Sequence, residues 1–239
     1  MTYRENLFAG RSAIVTGATQ GIGAGIANAL AELGMQVTAT GLDRGDGSLD
    51  PRVDVVLADV SDAQQVDALL AGRDGLDALI NCAGIIRRGA EHELPVFEQV
   101  LAVNLTGTMR LCTAARSVLQ ARRGCIVNMA SMLSFFGGSL VPAYAASKGG
   151  VAQLTKSLAL AYAEDGIRVN AVAPGWIATP LTAALQEDPA RAGPILARTP
   201  LGRWGRPEDV AQAVVFLCAP AAAFLTGVIL PVDGGYLVA

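Results

Sequence analysis

Ser131, Tyr144 and Lys148 are the side chains of this 239-residue protein whose types and spacing could move a proton. Tyr144 and Lys148 stand four apart, which stacks them on one face of a helix. The twelve residues 132–143 leave enough chain for Ser131 to fold back beside them. A tyrosine hydroxyl titrates near pH ~10 and is a poor base at neutrality, but a neighbouring ammonium favours its phenolate. Tyr144 would then exchange a proton with a substrate hydroxyl. Ser131 would donate a hydrogen bond to the oxygen whose charge changes as a carbonyl is formed or reduced. Taken alone, the Tyr144–Lys148 pair also fits an incidental surface contact, because i,i+4 pairs are common.

A second set of residues suits a phosphate. Thr16-Gly17-Ala18-Thr19-Gln20-Gly21-Ile22-Gly23 joins an apolar run to an amphipathic one. Gly17 permits a tight turn, Gly21 lets the backbone approach a pyrophosphate, and Gly23 allows a helix to pack closely on a sheet, so that N–H groups at the helix start face the anion. A glycine-rich turn that binds nothing would read the same way. Asp59-Val60 and Asn81-Cys82-Ala83-Gly84 each follow a β-branched run. Both would lie at strand carboxyl ends, where open α/β sheets bind ligands, although Asp, Asn and Gly are also what ordinary turns use.

These groups need a scaffold, and the chain has the pattern of one. Strands are expected at Ser12–Val15, Gln36–Thr40, Val53–Leu57, Ala78–Ile80, Cys125–Met129, Arg168–Val172 and Val228–Pro231. Between them apolar residues recur at helical spacing: Ile22, Ile26, Leu30 and Leu33; Val96, Val100 and Leu101; Val151, Leu154 and Leu158; Val210, Val214 and Leu217. Seven strands alternating with about six helices predict an α/β fold, a doubly wound parallel sheet with helices on both faces, in one domain spanning 1–239. A composition 52% hydrophobic but only 5% aromatic suits strands buried on both faces. The stretch Trp176–Arg206 holds no strand and is broken by Pro180, Pro189, Pro194 and Pro200; such an excursion is expected to cover a binding site as a lid.

Composition also excludes several roles. No apolar run approaches the ~18 residues of a membrane span, and the first residues lack the features of an export signal, so a cytoplasmic enzyme is the expectation. Net charge is −3 and the 18 Lys and Arg are scattered, which gives no footprint for nucleic acid. Cys82, Cys112, Cys125 and Cys218 form no CxxC pair, and the single histidine, His92, reads as a solvated loop residue, so no metal site is expected.

TGATQGIG, NCAG, SMLSFFGGSLVPAYAASK and APGWIAT, in this order, resemble the short-chain dehydrogenase/reductase family over essentially the whole chain. The resemblance implies a Rossmann-type seven-stranded sheet, a homotetramer, and catalysis by Asn104, Ser131, Tyr144 and Lys148, with Asn104 holding a water that links Lys148 to solvent. It further implies that Asp59 and Val60 contact adenine, that Asn81, Ala83 and Gly84 flank the adenosine ribose, and that Lys148 holds the nicotinamide ribose. Pro174, Gly175, Ile177 and Thr179 match the segment that fixes the nicotinamide. Cys82 departs from the commoner second Asn of the NAG motif.

Within that family, the wording at Asn81–Arg88, SMLSFFGG, LGRWGRPEDV and VDGGYLV is similar to 2-deoxygluconate 3-dehydrogenases, also described as acting on 2-keto-3-deoxygluconate at carbon 5. Arg87 or Arg88 would give the carboxylate of a sugar acid a charge-assisted partner, although a solvated loop pair fits as well. A 3-oxoacyl-carrier-protein reductase shares the general pattern but calls for a basic surface that the charge distribution does not show. A nucleotide-sensing protein without chemistry has no need of the full tetrad. For the cofactor, Gly41 occupies the usual acidic position after the second strand, Asp43 follows, and Arg44 is next. A carboxylate there repels a 2′-phosphate and an arginine welcomes it; Asp43 comes first, so NAD is favoured with NADP as the alternative.

Overall fold

The computed structural model describes residues 3–239. Its β-branched runs form seven strands: β1 (Ser12–Thr16), β2 (Gln36–Gly41), β3 (Asp54–Leu57), β4 (Ala78–Asn81), β5 (Cys125–Met129), β6 (Arg168–Pro174) and β7 (Ile229–Val232). They make one parallel sheet in the order β3-β2-β1-β4-β5-β6-β7. Most strands run one or two residues further at the carboxyl end than the expected bounds, to Thr16, Gly41, Asn81 and Pro174. Those extensions place the polar motifs at the sheet rim.

Alternation along the strands sends successive side chains to opposite faces. On one face Ala13, Val15, Ile80 and Val127 pack against Ile26, Leu30, Val214 and Leu217; on the other Ile14, Leu79 and Ile126 pack against Leu111, Leu119, Leu158 and Ile167. Two buried layers result, as a sheet covered on both faces requires.

The helices are α1 (Gly21–Glu32), α2 (Ala63–Leu70), α3 (Leu94–Leu101), α4 (Thr108–Ala114), α5 (Arg116–Arg122), α6 (Pro142–Ala161), α7 (Ala183–Gln186), α8 (Pro189–Ala197) and α9 (Pro207–Cys218). That is more than the expected six, for two reasons. The connection from β4 to β5 is three helices, α3 joined to α4 by a π-helical turn at Ala102–Gly107. The stretch 176–206 holds α7 and α8, because its prolines start helices rather than only breaking them: Pro180 opens a 3₁₀ turn and Pro189 opens α8. Helix α2 was not expected; it is held by the Asp62 carboxylate, which accepts from the N–H groups of Gln64 and Gln65.

β1 lies between β2 and β4, so the sheet order reverses there and the connections diverge. The crevice this opens at the strand carboxyl ends is where such sheets hold ligands. Gly17 and Gly23 set its floor. Gly17 has φ +60°, and a Cβ on it would stand 2.6 Å from the Ala83 Cα. A Cβ on Gly23 would collide with the Gly17 carbonyl oxygen.

Candidate active site

Three cavities adjoin along the carboxyl ends of the strands. The first, about 390 Å³, is lined by Gly17, Thr19, Gln20, Asp43, Asp59, Val60, Ala83, Gly84 and Arg87. The second, about 200 Å³, takes in Gly17, Gln20, Gly21, Ile22, Gly23, Gly84, Tyr144, Lys148 and Thr179. The third, about 380 Å³, contains Ile22, Arg88, Ser131, Tyr144, Pro174, Gly175, Ile177 and Thr179, with Arg191 on its wall. Shared residues make them one trough, running from the end of β2 to the segment 176–191. A larger cavity of about 560 Å³ lies beside β7, lined by Trp176, Pro200, Arg203 and Gly234, and holds none of the proton-moving residues.

At the β2 end, the Thr16 hydroxyl accepts from the N–H groups of Cys82 and Ala83, both at 3.2 Å, and draws the NCAG turn onto the glycine loop. No side chain caps α1, so the donors of its first turn face the trough. Gly41 has no room for a side chain: a Cβ there would meet Thr19, whose Cγ2 would stand 2.8 Å away. The carboxylate of this region is therefore Asp43, whose Oδ1 accepts from Gly45 N–H at 2.8 Å. Asp59 accepts from both the N–H and the hydroxyl of Ser61, at 2.8 and 2.7 Å.

Two residues expected at the site face inward instead. Asn81 is 2% exposed, and its amide donates to Asn128 Oδ1 at 2.8 Å and Cys112 Sγ at 3.3 Å. It ties β4 to β5 rather than reaching a ribose, because the strand alternation turns its side chain into the core. Asn104, in the π-helical turn, is fully buried. Its Oδ1 accepts from Ile85 N–H at 2.8 Å, while Nδ2 donates to the Ile85 carbonyl at 2.9 Å and to Ser147 Oγ at 3.1 Å. Both amide hydrogens are thus committed to protein groups, and the side chain clamps the backbone beside Gly84 instead of facing the trough.

Ser131 caps the 3₁₀ turn Met132–Ser134 at the end of β5, where its Oγ accepts from Leu133 N–H at 3.1 Å. Lys148 Nζ donates to the Met129 carbonyl at 2.7 Å and stands 5.5 Å from the centre of the Tyr144 ring. Burial pulls the Lys148 ammonium down to about 8 and pushes the Tyr144 phenol up to about 12, with Ser131 acting in the opposite direction on the phenol. The sequence predicts that Lys148 lowers the tyrosine; in the structure desolvation raises the phenol, the group that lowers it is Ser131, and Lys148 is held on the Met129 carbonyl. The resting phenol is a proton donor.

Arg87 and Arg88 part company. Arg87 lines the first cavity and donates to its neighbour's carbonyl, Ile86 O, at 3.3 Å, whereas Arg88 lines the third cavity beside Tyr144. Arg191 of α8 joins Arg88 on that wall. No motif marked Arg191 in the sequence; only the packing of residues 176–206 beside the trough brings it there. His92 is exposed, with its Nε2 2.9 Å from the Ser139 carbonyl. Among the described residues no cluster of His, Cys, Asp and Glu could hold a metal, and no helix is long and apolar enough to cross a membrane.

A family model described as enoyl-(acyl carrier protein) reductase matches residues 17–237. The 2-dehydro-3-deoxy-D-gluconate 5-dehydrogenase of Bacillus subtilis is 40% identical over 99% of both chains. The cis-4-hydroxycyclohexanecarboxylate dehydrogenase of Sinomonas cyclohexanicum is 46% identical over 96% of this chain and 97% of its own. Among solved structures, one assigned as a 2-deoxy-D-gluconate 3-dehydrogenase from Agrobacterium tumefaciens, with bound NADP, superposes with a TM-score of 0.91 at 42% identity, covering 99% of this chain and 100% of that one. Relatives alike over nearly their full lengths, with the same sheet and the same trough motifs, show that this chain belongs to the short-chain dehydrogenase/reductase family.

Proposed function

We propose that the chain is an NAD(P)-dependent dehydrogenase/reductase that interconverts a secondary hydroxyl and a ketone on a sugar acid or similar hydroxy acid, with Tyr144 as the proton-transfer group. The observation that carries this reading is the third cavity, whose lining includes Ser131 and Tyr144 together with Arg88 and Arg191 and which meets the dinucleotide trough at Tyr144. The printed names of the relatives from Bacillus and Sinomonas both contain a carboxylic acid, which agrees with a pair of arginines in the lining of that cavity.

The trough fits a dinucleotide because its floor has backbone where side chains would stand, at Gly17 and Gly23, and uncapped N–H groups at the start of α1. Gly17, Thr19, Gln20, Gly21, Ile22 and Gly23 would hold the pyrophosphate; Asp43, Asp59, Val60, Ala83 and Gly84 the adenosine half; Lys148, Pro174, Gly175, Ile177 and Thr179 the nicotinamide half. When bound, the nicotinamide ring supplies or accepts the hydride. In reduction, Tyr144 gives its hydroxyl proton to the ketone oxygen while Ser131 donates a hydrogen bond to the same oxygen. In oxidation, the Tyr144 phenolate takes the proton of the substrate hydroxyl. The segment 176–206, with α7 and α8, forms the lid, and a homotetramer is the expected assembly: Met109 of α4 and Leu160 of α6 are exposed apolar side chains that other copies could cover. Light scattering of the native protein should read four chains; a monomer would contradict this.

Tyr144→Phe removes only the acid–base hydroxyl, so turnover should fall by ~10²–10⁴-fold while NADH still binds. Because burial holds the phenol high, its phenolate fraction grows tenfold per pH unit below about 12. Oxidation should therefore accelerate with rising pH, while reduction, which uses the protonated form, should not. A Phe variant keeping a third of the wild-type kcat, or an oxidation rate flat from pH ~6 to ~10, would count against the assignment.

Asp43 sits on the wall of the adenosine cavity and Arg44 does not, so NADH should bind more tightly than NADPH. Asp43→Ala should level or reverse that preference in a titration of nicotinamide fluorescence. A native preference for NADPH, the cofactor type held in the Agrobacterium structure, would show that Asp43 does not govern the pocket.

Arg88→Ala and Arg191→Ala should each lower kcat/KM for a keto sugar acid by roughly tenfold, about 1.5 kcal/mol for a charge-assisted hydrogen bond on a solvent-facing side chain, mostly through KM. An uncharged polyol analogue should be unaffected, and Arg87→Ala should resemble wild type on both. Equal losses on acid and polyol, or far faster reduction of an acetoacetyl thioester, would favour a 3-oxoacyl reductase instead.

A further inference from the structure

Glu91 is the only fully buried carboxylate among the described residues, 0% exposed, and no cation pairs with it there. A charge is not left in a protein interior without hydrogen bonds to both oxygens. Its two partners are both backbone: Oε1 accepts from Arg87 N–H and Oε2 from Tyr144 N–H, each at 2.8 Å. Tyr144 is the third residue of α6, a 20-residue helix whose cap position, Val141, offers no side-chain oxygen. Glu91 therefore takes the capping role from 53 residues away, and the positive end of the helix favours its charge.

The bonds around it bind the same two segments together. Gly89 N–H donates to the Leu140 carbonyl at 2.8 Å, and the His92 ring bonds the Ser139 carbonyl at 2.9 Å. The turn that carries Arg88 is thus stitched to the start of the helix that carries Tyr144, with the carboxylate at the centre. We infer that Glu91 is a positioning residue: through one carboxylate it fixes the separation between the arginine turn on the substrate cavity and the proton-transferring hydroxyl. This inference rests on the reading of Tyr144 given above.

The charged or titratable groups facing Tyr144 are Glu91, Lys148 and Cys82, with Ser131 in hydrogen-bonding reach. Glu91 and Cys82 push the phenol up and Ser131 pulls it down. A cap that only stabilised the fold would leave kcat per folded site unchanged, whereas one that sets the spacing between the arginine turn and the Tyr144 hydroxyl governs kcat for a substrate gripped by the arginine.

Glu91→Gln has one acceptor oxygen for two N–H donors and no charge; Glu91→Asp keeps the charge and shortens the reach. Rates of oxidation of a hydroxy sugar acid and of its uncharged polyol analogue should be taken per NADH-binding site, so that unfolded protein is not counted. Glu91→Gln should lose at least tenfold in kcat on the acid, bind NADH within about twofold of wild type, and lose less on the polyol, which the arginine turn does not grip; Glu91→Asp should show the same order of losses. Should Glu91→Gln fail to bind NADH, the kcat of Glu91→Asp on the acid decides, and a wild-type value there overturns the inference. It is also overturned if Glu91→Gln matches wild type, or loses kcat equally on acid and polyol. Measured beside them, an active Tyr144→Phe would instead bring down the underlying reading of the site.

Discussion

The site depends on a contact between two backbones at the carboxyl ends of neighbouring strands. β1 delivers Gly17 and β4 delivers Ala83, and the two lie so close that any side chain on Gly17 would overlap the Ala83 backbone. Thr16 secures the contact with one hydroxyl that accepts two N–H groups. Because the sheet order reverses beside β1, this joint sits at the mouth of the crevice rather than inside the core. The trough floor, the start of α1 and the Asn104 clamp on Ile85 all follow from it.

Burial then decides the chemistry. Tyr144 and Lys148 share a desolvated pocket that disfavours both charged forms, so the phenol moves up and the ammonium moves down. At neutral pH the phenol keeps its proton and the ammonium, at about 8, is still mostly protonated, so the resting tyrosine is ready to donate a proton to a ketone. Lys148 is anchored on Met129 at the end of β5, the strand that also delivers Ser131. One strand end thus orients both the lysine and the hydrogen-bond donor, and the first turn of α6 brings the tyrosine to them.

Much of this was legible in the sequence. Parallel strands buried on both faces are written as β-branched runs, and all seven were found within two residues of their bounds. The glycine loop and the Ser131, Tyr144 and Lys148 spacing were legible because backbone approach and helical periodicity restrict residue type directly. What stayed hidden depends on which way a side chain turns or on contacts between distant segments. Nothing in their sequence positions shows that the Asn81 and Asn104 amides donate to groups inside the protein. Arg87 and Arg88 are adjacent in sequence but line different cavities. Arg191 and Glu91 acquire their places only when the 176–206 stretch and the 87–92 turn fold against other elements. Helix α2 was missed because its apolar face amounts to Val66, Leu69 and Leu70.

The central claim is that the trough brings a nicotinamide ring and the carbonyl carbon of a keto sugar acid to the same point beside Tyr144. Its most direct test is a single turnover with NADH carrying deuterium at both nicotinamide C4 positions, with the product examined by NMR. Deuterium should appear on the new carbinol carbon, in one configuration. Oxidation of the cofactor without label on that carbon, or no turnover with any keto acid while NADH binds tightly, would contradict the account.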